Sequence, residues 1–261
     1  MKVLAVGAGN MGGALLRRWV DMPDAAFAAV DPTAQPIDGV AWARGAEMLG
    51  AGEFDIVVLA VKPQLIDAVA PVYAARLASA GVVASIAAGV SIARLEALFG
   101  DVGVVRMMPN LPAQIGKGVS ALCANGHASQ EARAMVERLA EAAGEVVWMD
   151  DEDMIDRFTA IAGSGPGYVF EIARQFVAAA SELGFPDEEA RRIVLRTIEG
   201  AVALALDDGR PLAEMRAAVT SKNGTTEAGL AELMRDGRLA ALMSKTVNAA
   251  YARARELADP D

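Results

Sequence analysis

The chain reads Met1-Lys2-Val3-Leu4-Ala5-Val6 and runs straight into Gly7-Ala8-Gly9-Asn10-Met11-Gly12, with a helical pattern from Ala14 to Trp19 behind it. A short apolar strand leading into G-x-G-x-x-G and then a helix is the first βα unit of a doubly wound sheet that binds a dinucleotide. Gly7 permits the tight turn out of the strand. Gly9 lets backbone approach a pyrophosphate whose charge the helix N-terminus stabilises, and Gly12 lets the helix lie close on the sheet. Taken alone, the motif also fits a structural glycine turn. A second apolar strand, Ala26 to Val30, ends in Asp31, an acid at the position that contacts the ribose, and this favours the cofactor reading.

Up to about residue 150 short β-rich runs alternate with helical ones. The strands are expected at Val3 to Val6, Ala26 to Val30, Ile56 to Val61, Val82 to Ile86, Val102 to Met107, Val119 to Leu122 and Glu145 to Met149. That alternation predicts a mostly parallel sheet covered by helices. After the acidic cluster Asp150-Asp151-Glu152-Asp153 the grammar changes to long Ala/Leu/Ile/Val/Met patterns at spacings of three and four. The expected organisation is therefore a Rossmann-type α/β domain over residues 1–150 and an all-α domain over 151–261. Pro166 would open a helix continuing to Leu183, and Pro186 with Asp187 would start the next. Helices such as Ile193 to Leu206 carry enough apolar surface for a subunit interface, although their periodicity fits a monomeric core as well.

Composition limits the partners. A net charge of -10 argues against a nucleic-acid surface, which draws on many Lys and Arg contacts. No run approaches the roughly 20 apolar residues of a membrane span, so a cytoplasmic chain without membrane contact is expected. The single Cys123 fits a reducing compartment and reads as a small core residue. His127 is the only histidine and sits in an apparent turn, which excludes a Ser/His/Asp triad or a His/Cys metal cluster.

In an open α/β sheet, ligands bind beyond the carboxyl ends of the strands. Those ends carry Val61-Lys62-Pro63, then Ala87-Ala88-Gly89-Val90, whose small residues let a flat nicotinamide approach the backbone, and then Met108-Pro109-Asn110. In the helical half, Ser221-Lys222-Asn223-Gly224-Thr225-Thr226 precedes an apparent helix from Glu227 to Met234. Thr225 or Thr226 could serve only as an N-cap. Alternatively, free N–H groups at this helix start could hold a substrate carboxylate beside a threonine hydroxyl. Asp31 suits two ribose hydroxyls and would repel a 2′-phosphate, so NADH is favoured over NADPH.

No lysine lies between Lys117 and Lys222. Alcohol-to-ketone dehydrogenases need a general acid or base for the hydroxyl proton, commonly Lys or His. A protonated imine needs none, since orientation and hydride approach suffice.

These segments, together with Arg106-Met107-Met108-Pro109-Asn110 and Gly163-Ser164-Gly165-Pro166-Gly167-Tyr168, resemble the pyrroline-5-carboxylate reductase family essentially end to end. The resemblance implies reduction of 1-pyrroline-5-carboxylate to L-proline by NADPH or NADH, the last step of proline biosynthesis. It also implies a homodimer built through the helical domain, association into decamers, and active sites with residues from both subunits. By position, Ser221, Gly224, Thr225 and Thr226 would bind substrate, with Thr226 at the ring nitrogen, and Asp151 would join them. Gly7, Ala8, Gly9, Asn10, Met11 and Gly12 would hold the pyrophosphate. Val61, Lys62, Pro63, Ala88, Met108, Pro109 and Asn110 would flank the nicotinamide end. Ala162 and Gly167 stand where the family usually has Ser and Ala, Lys222-Asn223 replace Pro-Gly, and Asp151 replaces Glu. The rival readings are a reductase of another cyclic imine, a β-hydroxyacid dehydrogenase-like enzyme, and a non-catalytic NAD-sensing module.

Overall fold

Along the first strand, β1 (Lys2–Val6), consecutive side chains enter two different cores: Val3 and Ala5 one, Leu4 and Val6 the other. A strand buried on both faces has no polar side to show, which is why these segments read as unbroken apolar runs. In the computed structural model, which describes residues 1–258, β1 lies inside an eight-stranded sheet. Its other strands are β2 (Ala26–Val30), β3 (Val40–Ala43), β4 (Phe54–Leu59), β5 (Leu77–Ser85), β6 (Gly103–Met108), β7 (Gly118–Ala124) and β8 (Gly144–Trp148). The order is β3-β2-β1-β4-β5-β6-β7-β8, parallel throughout except for the antiparallel pair β6/β7. The chain moves outward from β1 to β3, then crosses back to β4 on the other side of β1. That reversal makes β1/β4 the switch point, where ligands of open α/β sheets bind.

Two helices cover each face. On one lie α1 (Asn10–Trp19) and α4 (Gln130–Glu141), with Leu15, Leu16, Trp19, Val136 and Leu139 fully buried against β-strand residues. The Trp19 indole stacks near Phe27 and donates Nε1–H to the Leu139 carbonyl at 2.7 Å, satisfying the polar tip of a wholly buried ring. On the other face, α2 (Ile66–Ala74) and α3 (Ile92–Phe99) bury Ile66, Ala70, Tyr73 and Leu95. Cys123 is buried in β7, and His127 is exposed in the turn before α4.

The described residues divide into two compact units, residues 1–164 with 250–258 and residues 165–249. The sequence pattern grouped everything from 151 onward as helical. The helix α5 (Glu152–Phe158) nevertheless clusters with the sheet unit, because Ile155 packs with Met108, Ala121 and Cys123. A single π-helical turn, Thr159–Gly163, follows, and Ser164 N–H reaches back to the Thr159 carbonyl at 2.9 Å. The second unit contains α6 (Gly165–Glu182), α7 (Asp187–Asp208), α8 (Leu212–Ala218), α9 (Thr225–Leu233) and most of α10 (Arg238–Ala258). Pro166 sits in the first turn of α6, and Pro186 immediately precedes α7. Among the described residues of this unit, only Ala173, Ala190 and Val194 are buried.

Candidate active site

The glycine motif and the next crossover meet where the strand order reverses. Gly7 leaves β1 with φ +95°, and a Cβ there would lie 2.6 Å from the Ala60 carbonyl oxygen. Gly12, in the first turn of α1, has Ala60 Cβ 2.9 Å from where its own Cβ would stand. Both glycines are therefore needed for α1 to approach the segment after β4. Gly9 differs, since nothing lies within 4 Å of its would-be Cβ. That open cradle at a helix start without a side-chain cap fits a pyrophosphate. It opens on a cavity of about 470 Å³ lined by Gly9, Asn10, Met11, Gly12, Ala60, Val61, Lys62, Pro63, Ile86, Ala87 and Ala88. Eight of the cofactor residues expected from sequence thus meet around one space. Gly7, Ala8, Asp31, Met108, Pro109 and Asn110 do not line it.

Asp31 is buried at the end of β2, and its carboxylate is heavily engaged. Oδ2 accepts from Ala8 N at 2.8 Å; Oδ1 accepts from Thr33 N and Ala34 N, both at 2.8 Å, and from the Thr33 hydroxyl at 3.1 Å. Burial pushes its pKa up, but the N–H groups of Ala8, Ala34 and Thr33 and the Thr33 hydroxyl outweigh it, leaving Asp31 below the usual carboxylate value. The side chain ties the glycine loop to the β2 exit.

The Met108-Pro109-Asn110 segment at the end of β6 is buried. The Asn110 amide is a clamp: its Oδ1 accepts from Val119 N at 2.9 Å, and its Nδ2 donates to the Ala162 carbonyl at 3.2 Å within the π turn. Asp151 caps α5, its Oδ1 accepting from Met154 N at 2.9 Å. Beside it lies a buried charge cluster that the sequence reading passed over. Arg106, only 3% exposed, pairs through Nη1 with Glu152 at 2.7 Å and through Nη2 with Asp156 at 3.6 Å. The same Glu152 oxygen accepts from Ile92 N at 2.9 Å, so one cluster fixes β6, α3 and α5. A buried arginine in an apolar strand was the available signal; its partners lie too far along the chain to be paired by spacing.

The helical unit presents the second set of residues. Ser221 to Gly224 form a turn closed by Gly224 N–H to the Ser221 carbonyl at 3.0 Å, with Asn223 left-handed at φ +57°. Asn tolerates that conformation better than most residues, so the turn forms without the glycine that the resemblance expects there. Thr225 and Thr226 are the first two residues of α9, whose N-terminus has no side-chain cap. Glu227 instead accepts from Asn223 N at 2.7 Å and stiffens the loop. Ser221, Thr225 and Thr226 are all exposed.

A parallel-dominated sheet with a glycine-lined cavity at its switch point, on one chain with an uncapped, threonine-bearing helix start, defines a dinucleotide-dependent oxidoreductase of two units. Residues 152–257 match the family model for pyrroline-5-carboxylate reductase dimerisation. The chain is 38% identical to the pyrroline-5-carboxylate reductase of Pseudomonas aeruginosa, over 99% of this chain and 97% of that one. Its fold is similar to the solved reductase from Coxiella burnetii, with a TM-score of 0.90, 31% identity and 98% of both chains covered. It is also similar to the Plasmodium falciparum pyrroline carboxylate reductase solved with NADP bound, with a TM-score of 0.88, 26% identity, and 99% and 98% of the two chains covered. The chain belongs to the pyrroline-5-carboxylate reductase family.

Proposed function

We propose that this chain reduces 1-pyrroline-5-carboxylate to L-proline with NAD(P)H, and that the start of α9 is its substrate-binding element. The observation that carries the second part is the uncapped α9 N-terminus with Thr226 in its first turn. Exposed N–H groups at a helix start bind a carboxylate through hydrogen bonds and the helix dipole, without needing net positive charge. The reduced nicotinamide supplies the hydride. Thr226 holds the ring nitrogen, its hydroxyl oxygen accepting from the iminium N–H, so that the imine carbon is presented in one orientation. As the C–H bond forms, the C=N π pair moves onto nitrogen, which already bears its proton. The Gly7–Gly12 loop, Val61, Lys62 and Ala88 position the cofactor, and Met108 to Asn110 frame the segment beside it.

The dimerisation match and the uncovered apolar faces of α6 and α7 support a homodimer; association into decamers rests on the family resemblance. The buried, unpaired Cys123 fits a cytoplasmic setting. The experiment is oxidation of NADH and of NADPH by purified protein with pyrroline-5-carboxylate, alongside Thr226→Ala. Wild-type protein should form proline with either cofactor. Thr226→Ala should lower kcat by about 100-fold, the scale of a lost orientation, at unchanged cofactor affinity. An unaltered kcat removes Thr226 from the mechanism, and no oxidation despite dinucleotide binding returns the substrate to another cyclic imine.

A further inference from the structure

Arg44 follows directly on β3, and the β2/β3 register sets Ala43 beside Val30. Asp31 N–H donates to the Ala43 carbonyl at 3.1 Å, so Asp31 and Arg44 leave the carboxyl edge of the sheet as neighbours. Their side chains hold the same loop in different ways. The buried Asp31 carboxylate binds N–H groups of Ala8, Thr33 and Ala34. The exposed Arg44 guanidinium donates through Nη1 to the carbonyls of Pro32 at 3.2 Å and Ala34 at 2.8 Å.

A dinucleotide seated on Gly7 to Gly12 places its adenosine ribose at the end of β2. Ribose hydroxyls there need a carboxylate with two free acceptor sites, but Oδ1 of Asp31 already takes three donors and Oδ2 one. A 2′-phosphate needs cationic N–H donors, and the Asp31 charge that would repel it is turned onto the N–H groups of Ala8, Thr33 and Ala34, so the cation must come from elsewhere. The Nε and Nη2 groups of Arg44 have no other partner among the described residues, and Nη1 fixes the guanidinium plane in place. Arginine can bind two carbonyls with one nitrogen and still present charged donors to a phosphate.

The geometry points to Arg44 as the residue that reads the adenosine 2′-phosphate, so that the enzyme uses NADPH in preference to NADH. This rests on the dinucleotide site proposed above and reverses the preference expected from Asp31 by sequence. Asp31 is then a positioning residue for the loop.

The test is binding of 2′-phospho-ADP-ribose and of ADP-ribose to the full-length protein by calorimetry, in wild type, Arg44→Gln and Arg44→Ala, with melting curves to confirm folding. Wild type should bind the phosphorylated ligand about 10-fold more tightly or better. Both variants should bring the two affinities together by weakening only the phosphorylated ligand, and kcat/KM for NADPH should fall in parallel while that for NADH holds. Equal weakening of both ligands, an unchanged ratio, or a wild type that prefers ADP-ribose overturns the proposal. Because the binding arm uses no imine, a failed substrate assignment shows as absent turnover with the affinity ratio intact.

Discussion

In the sheet unit Leu15, Leu16, Trp19, Ile56 and Leu122 are wholly buried, whereas in the helical unit Phe170, Phe176, Val202, Leu204 and Leu206 stand 50–79% exposed. The difference follows from geometry. A parallel sheet covered on both faces encloses its side chains within one chain. Helices rich in alanine pack closely in pairs but leave their outer faces bare, as α6 and α7 do with only Ala173, Ala190 and Val194 between them. Val169, Ile172 and Phe176 recur at spacings of three and four along α6, a stripe that a second copy would cover. The expected consequence is that the stability of one unit is its own while that of the other depends on protomer concentration.

The largest effect should come from the sheet unit. Arg106→Leu leaves Glu152 and Asp156 without their buried cation and should cost about 3–5 kcal/mol, with a denaturation midpoint shift that does not change with protein concentration. A shift that vanished at high concentration would mean the sheet unit also leans on its partner. Next comes the Ile172→Lys/Phe176→Lys pair, which should weaken dimerisation by roughly 2–4 kcal/mol in sedimentation while leaving the sheet unit folded. A variant that remains dimeric would take α6 out of the interface. Smaller still is the glycine contrast. Gly7→Ala forces a Cβ against Ala60 at positive φ and should cost about 1–3 kcal/mol of stability. Gly9→Ala meets nothing and should leave stability within about 0.5 kcal/mol, yet lose dinucleotide affinity in a titration, because its methyl fills the pyrophosphate cradle.

Much of this comparison was legible in the sequence, because it lives in periodicity and punctuation. The glycine motif and the helix starts at Pro166 and Pro186 are local signals, and the structure places them as expected, whereas β4 ends at Leu59 rather than Val61, β5 begins at Leu77 rather than Val82, and β7 runs on to Ala124 rather than Leu122. Other features were not legible because they depend on long-range pairing. Strand β3 is only four residues, Val40–Ala43, and becomes a strand by pairing with β2. Helix α5 carries a helical pattern but belongs to the sheet unit because Ile155 finds Cys123 and Met108. The π turn has no periodic signature, and it is held at its far side by Asn110. At the candidate site the residue types were readable but their hydrogen bonds were not. The sequence presents Asp31 as a free ribose acceptor, while the folded chain brings four donors to its carboxylate.

The subtlest way to sharpen the comparison is the acid limb of stability. Asp31 titrates below its unfolded value, so its contribution is complete above that value, about 3.9, and is lost as pH falls through the depressed one. Burial raises Asp156 against the opposing pull of Arg106, so its contribution is present below the unfolded value and lost as pH rises through the folded one. Asp31→Asn should therefore flatten the loss of stability as pH falls below about 3.9 in denaturation curves. Asp156→Asn should remove the gain that protonation of Asp156 gives as pH falls towards that value, steepening the limb above it. In the helical unit the Arg174 guanidinium first, and then Gln175, draws Glu171 below the usual carboxylate value, but both side chains of the ion pair are more than half exposed in the single chain. Solvent screens such a pair, so Glu171→Gln should leave the acid limb unmoved if α6 keeps this edge in water. A measurable shift on that substitution would mean that the second copy buries the Arg174–Glu171 edge, extending the interface beyond the Val169–Phe176 stripe.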